Sequence, residues 1–178
     1  PQTPFPKGLV YDDALLAGGD ATRGATQGFM LGGCIGCHAI DGVPGAVADR
    51  YGDTIVVQLT TAGADAWREV VADALFSLPG VRCVYERSDA DVREREGLDA
   101  RIGLMRGEDP DPDLVAHEAS WRYVVDVAGG HKTGFYLDQR SARAAIARLA
   151  NGRRFLNVFS YTGAFSVVAA GSGAADIL

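Results

Sequence analysis

No stretch of this sequence keeps its apolar residues together for the roughly 18 positions that a membrane-spanning helix needs. The first residues carry no basic-then-apolar leader, so a cytoplasmic chain that spans no membrane is expected. Cysteine is scarce and odd in number, with Cys34, Cys37 and Cys83 as the whole set; that argues against a disulfide framework. A charged fraction of 22%, a hydrophobic fraction of 47% and a mean hydropathy of +0.02 describe a globular chain. Its 178 residues suffice for one ordinary domain or two small ones with a real core.

A net charge of −6 does not by itself point to nucleic acid. The distribution is more informative than the sum. Between His131 and Arg154 stand Lys132, Arg140, Arg143, Arg148, Arg153 and Arg154 against a single acid, Asp138. A local basic patch can meet phosphates inside an acidic chain, although a solvated helix face explains it equally well.

Periodicity is absent from the first 45 residues, which hold ten of the 23 glycines. One short helix near Asp12 to Leu16 is all that is expected there, and the segment 1–45 reads as poorly packed or atypical. From 46 the pattern changes. Thr54 to Thr60 is β-branched and reads as a strand after a turn at Tyr51-Gly-Asp53. Asp65 is the expected N-cap of a helix whose apolar face is Trp67, Val70, Val71, Ala74 and Leu75, stopped by Pro79-Gly80. Val81 to Glu86 is a second strand, and residues 90–97 form a short charged helix ending at Gly97. The stretch 46–113 is thus a small α/β domain, closed by a turn around Pro110 and Pro112.

Residues 114–178 begin another unit. Trp121, Tyr123, Val125 and Val127 alternate with polar partners as a half-buried strand does. Ser141 to Ala150 is a helix with Ala142, Ala145, Ile146 and Leu149 on one face. Arg154 to Phe159 is a strand running into a turn, Ala164 to Ala170 opens a helix, and Asp176-Ile-Leu178 starts a further strand. Helix, strand, turn, helix, strand is the opening of a doubly wound α/β sheet, and the pattern reads as one whose remainder is missing. Gly163 stands where ligands of such sheets bind, at the carboxyl end of a strand and the start of a helix. That turn is neither a Gly-x-x-x-x-Gly-Lys nor a Gly-x-Gly-x-x-Gly loop, so by itself it is also readable as a plain structural turn.

Two segments carry a resemblance. Gly130-His-Lys-Thr-Gly-Phe-Tyr-Leu-Asp-Gln-Arg140, followed by Asn157-Val-Phe-Ser-Tyr-Thr-Gly163, resembles the paired signature of the S-adenosylmethionine-dependent methyltransferases of 23S rRNA that modify cytosine C5. Upstream, Asp41-Gly-Val-Pro-Gly45, Asp49-Arg-Tyr-Gly52, Glu86-Arg-Ser-Asp89, Val92-Arg93 and Glu96-Gly-Leu98 are similar to that family's central domain. The resemblance implies a fold class of α/β, with a small central domain followed by the start of a Rossmann-like methyltransferase sheet. It implies S-adenosyl-L-methionine as cofactor and large-subunit ribosomal RNA as partner. It assigns cofactor contacts to Lys132, Thr133, Gly134, Phe135, Gln139 and Arg140, and to Asn157, Phe159, Tyr161, Thr162 and Gly163. Aromatic rings suited to adenine and backbone N–H groups suited to a carboxylate agree with that assignment.

The departures are equally specific. Residues 1–37 match neither an RNA-binding PUA domain nor the usual lead-in to Asp41-Gly-Val-Pro-Gly45. The acidic residue for the cofactor ribose, an Asp-Pro-Pro-type motif and the cysteine that would attack cytosine C6 are not found, so no catalytic residue is nominated and the chain alone is expected to be inactive. Cys83, within a strand, reads as a small core residue. Alternatives are a guanine-N7 rRNA methyltransferase and a non-catalytic RNA-binding fragment. More remote is a redox protein, because Cys34-Ile-Gly-Cys37-His38 fits the c-type haem attachment pattern; a loop with two unpaired thiols is the plainer reading, and no metal ligand is nominated. Oligomeric state is not legible.

Overall fold

A computed structural model describes the backbone of residues 38–39 and the whole of residues 43–178. The expected helix at Asp12 to Leu16, the loop character of 1–37 and the thiols of Cys34 and Cys37 lie outside the described residues.

Five strands form the first sheet: β1 (His38–Ala39), β2 (Ala46–Tyr51), β3 (Thr54–Leu59), β4 (Cys83–Ser88) and β5 (Arg101–Gly107), in that spatial order. Only β3 and β4 are parallel; every other neighbouring pair is antiparallel. The β2–β3 hairpin turns on Gly52-Asp53, with Gly52 at φ +62°, a conformation that costs glycine little. The β3–β4 crossover carries helices α1 (Ala62–Ala66) and α2 (Arg68–Phe76), the connection a parallel pair requires. A short helix α3 (Val92–Arg95) joins β4 to β5. Its Arg93 is buried and donates to the carbonyls of Leu59 and Asp99 and to the Asp65 carboxylate, 2.9 Å away.

The apolar run of β3 reflects cover on both faces. Ile55, Val57 and Leu59 meet Ala64, Val71, Ala72 and Leu75 of α1 and α2 in one core. Val56 points the other way and, with Tyr51, joins a second core built from the C-terminal residues. Each such fully buried aliphatic side chain contributes about 1.5–3 kcal/mol relative to exposure. The second core contains Leu114, Ala116, Tyr123, Val125, Val127, Phe135 and Leu137. They come from the hairpin β6 (Val115–Glu118) and β7 (Trp121–Val124), and from the loop and 3-10 turn (Leu137–Gln139) that follow. Helix α4 (Arg140–Leu149), strand β8 (Arg154–Phe155), helix α5 (Ala164–Gly171) and strand β9 (Asp176–Ile177) complete the chain, with β8 and β9 paired in parallel.

Several expectations shift. Thr61, not Asp65, caps the first crossover helix, its side chain accepting from the Ala64 N–H, and the helix breaks at Trp67. The buried face of α2 is Val71, Ala72 and Leu75, while Val70 and Ala74 are exposed. Strand β4 starts and ends two residues later than Val81 to Glu86. On α4 the inward residues are Arg143, Ile146 and Ala147, and Leu149 and Ala142 face solvent; a buried arginine inverts an apolar-face reading. The strand expected over Arg154 to Phe159 is regular only at Arg154 and Phe155; the Asn157 N–H still donates to the Leu178 carbonyl at 2.8 Å, and Phe159 at φ +113° has left strand geometry. Strands β1, β2, β5 and β6 depart from the sequence reading, β1 within the segment expected to be loop.

The basic segment 131–154 is not one cationic face. Arg143 is buried, and Glu118 lies 3.6 Å from Arg140 as well as pairing with Arg143. Lys132 pairs with Asp138 at 2.7 Å and Arg154 with Asp176 at 3.2 Å, while Arg148 and Arg153 are exposed.

Candidate cofactor cleft

The two signature segments meet. A cleft of about 460 Å³ is lined by His131, Phe135, Tyr136, Gln139 and Arg143 on one side and by Phe159 to Thr162, Ala164 and Phe165 on the other. Tyr161 fastens the walls together. Its hydroxyl accepts from the His131 N–H at 2.9 Å and donates to the Gly134 carbonyl at 3.3 Å. The His131 and Tyr161 rings stack at 4.6 Å, Tyr136 meets Tyr161 edge-on at 5.6 Å, and the Tyr136 hydroxyl lies 3.0 Å from His131 Nδ1.

Backbone strain gathers at the same place. Of the four non-glycine residues with positive φ among those described, Lys132 (+54°), Phe159 (+113°) and Tyr161 (+50°) lie in the two signature segments. Such conformations cost on the order of 1–3 kcal/mol each and persist where the surroundings over-determine them, commonly at ligand sites. Phe159 is 98% exposed. Leaving a whole phenyl ring in water at a strained position contributes nothing to folding.

Helix α5 begins at this cleft, with Gly163 as its N-cap at φ +75° and no side-chain cap. Its first-turn N–H groups are therefore open to an anion, and Ala164 and Phe165 line the cleft. Beneath it, the Arg143 guanidinium donates from Nε to Glu118 Oε1 (2.8 Å), from Nη1 to the Tyr136 carbonyl (2.8 Å) and from Nη2 to Glu118 Oε2. The same group sits 4.8 Å from the Phe135 ring centre and 5.6 Å from that of Tyr123.

Of the residues named from the sequence, Phe135, Gln139, Phe159, Tyr161 and Thr162 line the cleft. Gly163 stands at its edge as the α5 cap. Lys132 points to Asp138 and lies over the Tyr136 ring, Arg140 faces Glu118, and Asn157 donates to the Ser166 hydroxyl at 2.8 Å. Thr133 is buried and turned toward the first sheet, where it donates to Asp49 Oδ2. Gly134 (φ +114°) lies close beneath the chain, and a Cβ there would stand 2.8 Å from the Asp126 carbonyl oxygen. His131, Tyr136, Ser160, Arg143 and Phe165 also line the cleft and were not named. The first three fall inside the quoted signature segments, but Arg143 has the sequence context of any solvated helix arginine.

A second cleft of about 270 Å³ is lined by Asp53, Arg82, Glu108, Asp109, Asp111 and Asp113, with Cys83 at its base. Burial pushes the Cys83 thiol up to about 11. No group of three or more His, Cys, Asp or Glu among the described residues is arranged to hold a metal. No helix among them is long and apolar enough to cross a membrane.

A cleft walled by aromatics, at the carboxyl end of a strand and the uncapped start of a helix in a parallel pair, is the ligand position of a Rossmann-like sheet. The profile of the S-adenosylmethionine-dependent methyltransferases matches residues 91–178, just under half of this chain. Over 137 residues it is 48% identical to the ribosomal RNA large subunit methyltransferase I of Shewanella amazonensis, covering 77% of this chain and 35% of that protein. Among solved structures, a protein of Streptococcus mutans assigned as an S-adenosylmethionine-dependent methyltransferase superposes with TM-score 0.63 at 29% identity, covering 75% of this chain and 34% of that one. A methyltransferase-assigned protein complexed with S-adenosylhomocysteine superposes equally well, with 75% and 33% covered. The chain thus spans about a third of the length of the relatives it matches. The α/β class and the Rossmann-like character of the C-terminal part expected from the sequence agree with these findings.

Proposed function

We propose that residues 130–165 form both walls of a cleft that belongs to the S-adenosylmethionine site of a cytoplasmic enzyme that methylates a base of large-subunit ribosomal RNA. The observation that carries this reading is the single cleft made by the two signature segments, with strained, exposed Phe159 on one wall and the open start of α5 at its edge. The residues fit the cofactor: the rings of Phe159, Tyr161 and Tyr136 offer apolar surface for adenine, and the first-turn N–H groups of α5 offer donors to the methionine carboxylate. Bound there, the cofactor supplies an electrophilic methyl group. The chain's own residues bind and orient it; Arg143 and Tyr161 hold the walls, and Gln139 and Thr162 present polar side chains. The division into units at 46–113 and 114–178 belongs to the same proposal, with the second core seating the cleft on the first sheet.

For the base, cytosine C5 is the favoured target, on the resemblance of the Gly130–Arg140 and Asn157–Gly163 segments to the cytosine-C5 methyltransferases. That chemistry needs a thiolate at C6 and a proton acceptor at C5. Cys83, the one cysteine among the described residues, is buried at the base of the separate acidic cleft and carries a raised thiol pKa, so it is not the nucleophile. The test compares the 178-residue chain with one extended to the relatives' length, using S-adenosylmethionine labelled in the methyl group and unmodified large-subunit rRNA. Label is expected in a cytosine only with the extended chain. Label in guanine would move the assignment to the guanine-N7 class, and no label with either chain would remove the methyltransferase proposal.

A further inference from the structure

The loop that carries half of the cleft is held from outside it. Arg87, on β4 of the first sheet and only 5% exposed, donates from Nη1 to the Val127 carbonyl (2.7 Å) and from Nη2 to the Gly130 carbonyl (2.8 Å). Asp89 lies 3.1 Å from the same guanidinium. Three residues further along, Thr133 donates to Asp49 Oδ2 of β2, and the Tyr51 hydroxyl lies 2.9 Å from Thr133 Oγ1, placed to donate to it. Asp49 and Tyr51 are both buried. Both anchors therefore come from the first sheet, and they grip the loop on either side of His131 and Lys132. Between them sits the left-handed Lys132, and just beyond them Phe135 and Tyr136 turn into the cleft. Gly130 is packed so closely that a Cβ would stand 2.4 Å from the Asp126 carbonyl oxygen and 2.5 Å from the Tyr161 hydroxyl. The loop's own bonds run from the Ala128 and Gly129 N–H groups to the Asp126 carboxylate and from the Gly130 N–H to the Asp126 carbonyl, so the anchors from the first sheet, with Tyr161, are what tie it to the rest of the fold.

We propose that Arg87, Asp49 and Tyr51 are positioning residues that fix the 127–134 loop, and with it one wall of the cleft, from the neighbouring sheet. None of the three lines the cleft. They act through the Val127 and Gly130 carbonyls and the Thr133 hydroxyl, so Thr133 serves the site from behind rather than by touching the ligand. A planar guanidinium holds two carbonyls in one fixed geometry that a rotatable ammonium does not reproduce, and a buried carboxylate accepting from a hydroxyl forms a short, charge-assisted hydrogen bond. Through these bonds the order of the cleft depends on the first sheet. The inference rests on the cofactor reading only for its consequence in affinity.

Amide hydrogen exchange on the 178-residue chain decides it without any ligand. Arg87→Lys and Thr133→Val should each speed exchange of peptides within 127–136 by about tenfold, while the β3 amides of Val56 and Val57 change less than twofold. Thr133→Ser, which keeps the hydroxyl, should restore the slow loop. Loop exchange unchanged in both variants, or β3 amides accelerated as much as the loop in both, would overturn the proposal. In parallel, titration with S-adenosylhomocysteine should show affinity weakened about tenfold in Thr133→Val and recovered in Thr133→Ser. If the wild-type chain takes no S-adenosylhomocysteine, the cofactor reading fails and the exchange result still settles the positioning role.

Discussion

Replacing Glu118 by Gln leaves the Arg143 guanidinium buried beside a neutral amide. Arg143 is 1% exposed and Glu118 8%, and two of the arginine's three hydrogen bonds run to that carboxylate. Breaking a buried ion pair by removing one partner costs about 3–5 kcal/mol, a large share of the roughly 5–15 kcal/mol by which a domain is stable. The converse variant, Arg143→Met, should cost less than Glu118→Gln, because Arg140 lies 3.6 Å from Glu118 and still faces the carboxylate. The double variant Glu118→Leu with Arg143→Met should recover most of the loss, since apolar residues of similar volume replace buried pairs at little or no net cost. The assay is urea denaturation followed by circular dichroism, with Glu118→Leu and Arg143→Met as the single corners of a double-mutant cycle. A loss under about 1 kcal/mol for Glu118→Gln, or additive single losses in the double variant, would refute a buried, coupled pair beneath the cleft.

Phe159→Ser should leave the denaturation midpoint unchanged within about 0.5 kcal/mol, because the ring is 98% exposed, while weakening S-adenosylhomocysteine binding; a stability loss above 1 kcal/mol would show the ring packed. Gly163→Ala adds a Cβ that meets nothing within 4 Å, so its cost should be only the left-handed backbone penalty of about 1–2 kcal/mol. Gly171→Ala, whose Cβ would stand 2.1 Å from the Trp121 ring, should cost more, as read by thermal melting. Cys83 binds its proton more tightly folded (about 11) than unfolded (9.0). Its contribution is therefore full below pH 9 and lost as pH rises toward 11, by at most about 3 kcal/mol. Urea midpoints from pH 8 to 11 in wild type and Cys83→Ala should show the extra slope in wild type alone, and alkylation at pH 8 should be slow until the chain unfolds.

The sequence revealed most where one physical rule dominated. Thr54 to Leu59 is a strand buried on both sides, so its β-branched run had no helical competitor. Helix α2 and the Pro79-Gly80 stop followed from period and punctuation, but the exact cap did not, because Thr61 and Asp65 are both good cap residues and only the chain's entry angle chooses. Strand β5, Arg-Ile-Gly-Leu-Met-Arg-Gly, escaped because Ile102 and Leu104 on its solvent side are exposed, leaving Met105 as its one buried residue. Helix α4 was misread in its face because its inward residue is Arg143, whose partner Glu118 stands 25 positions earlier. At the site, short motifs led to Phe135, Gln139, Phe159, Tyr161 and Thr162. The inward turn of Thr133 depends on Asp49, 84 residues away, and no local pattern reports a bond of that span.

The proposed site requires that the 130–140 and 157–165 segments together hold S-adenosylmethionine. Titrating the isotopically labelled 178-residue chain with S-adenosylhomocysteine to millimolar concentration, and following backbone amide shifts, detects even a weak site. The expected result is concerted movement of His131, Tyr136, Tyr161, Thr162, Ala164 and Phe165, with the β1–β4 amides still. Shifts confined to the acidic cleft at Asp53, Cys83 and Asp109, or no shift anywhere, would contradict it.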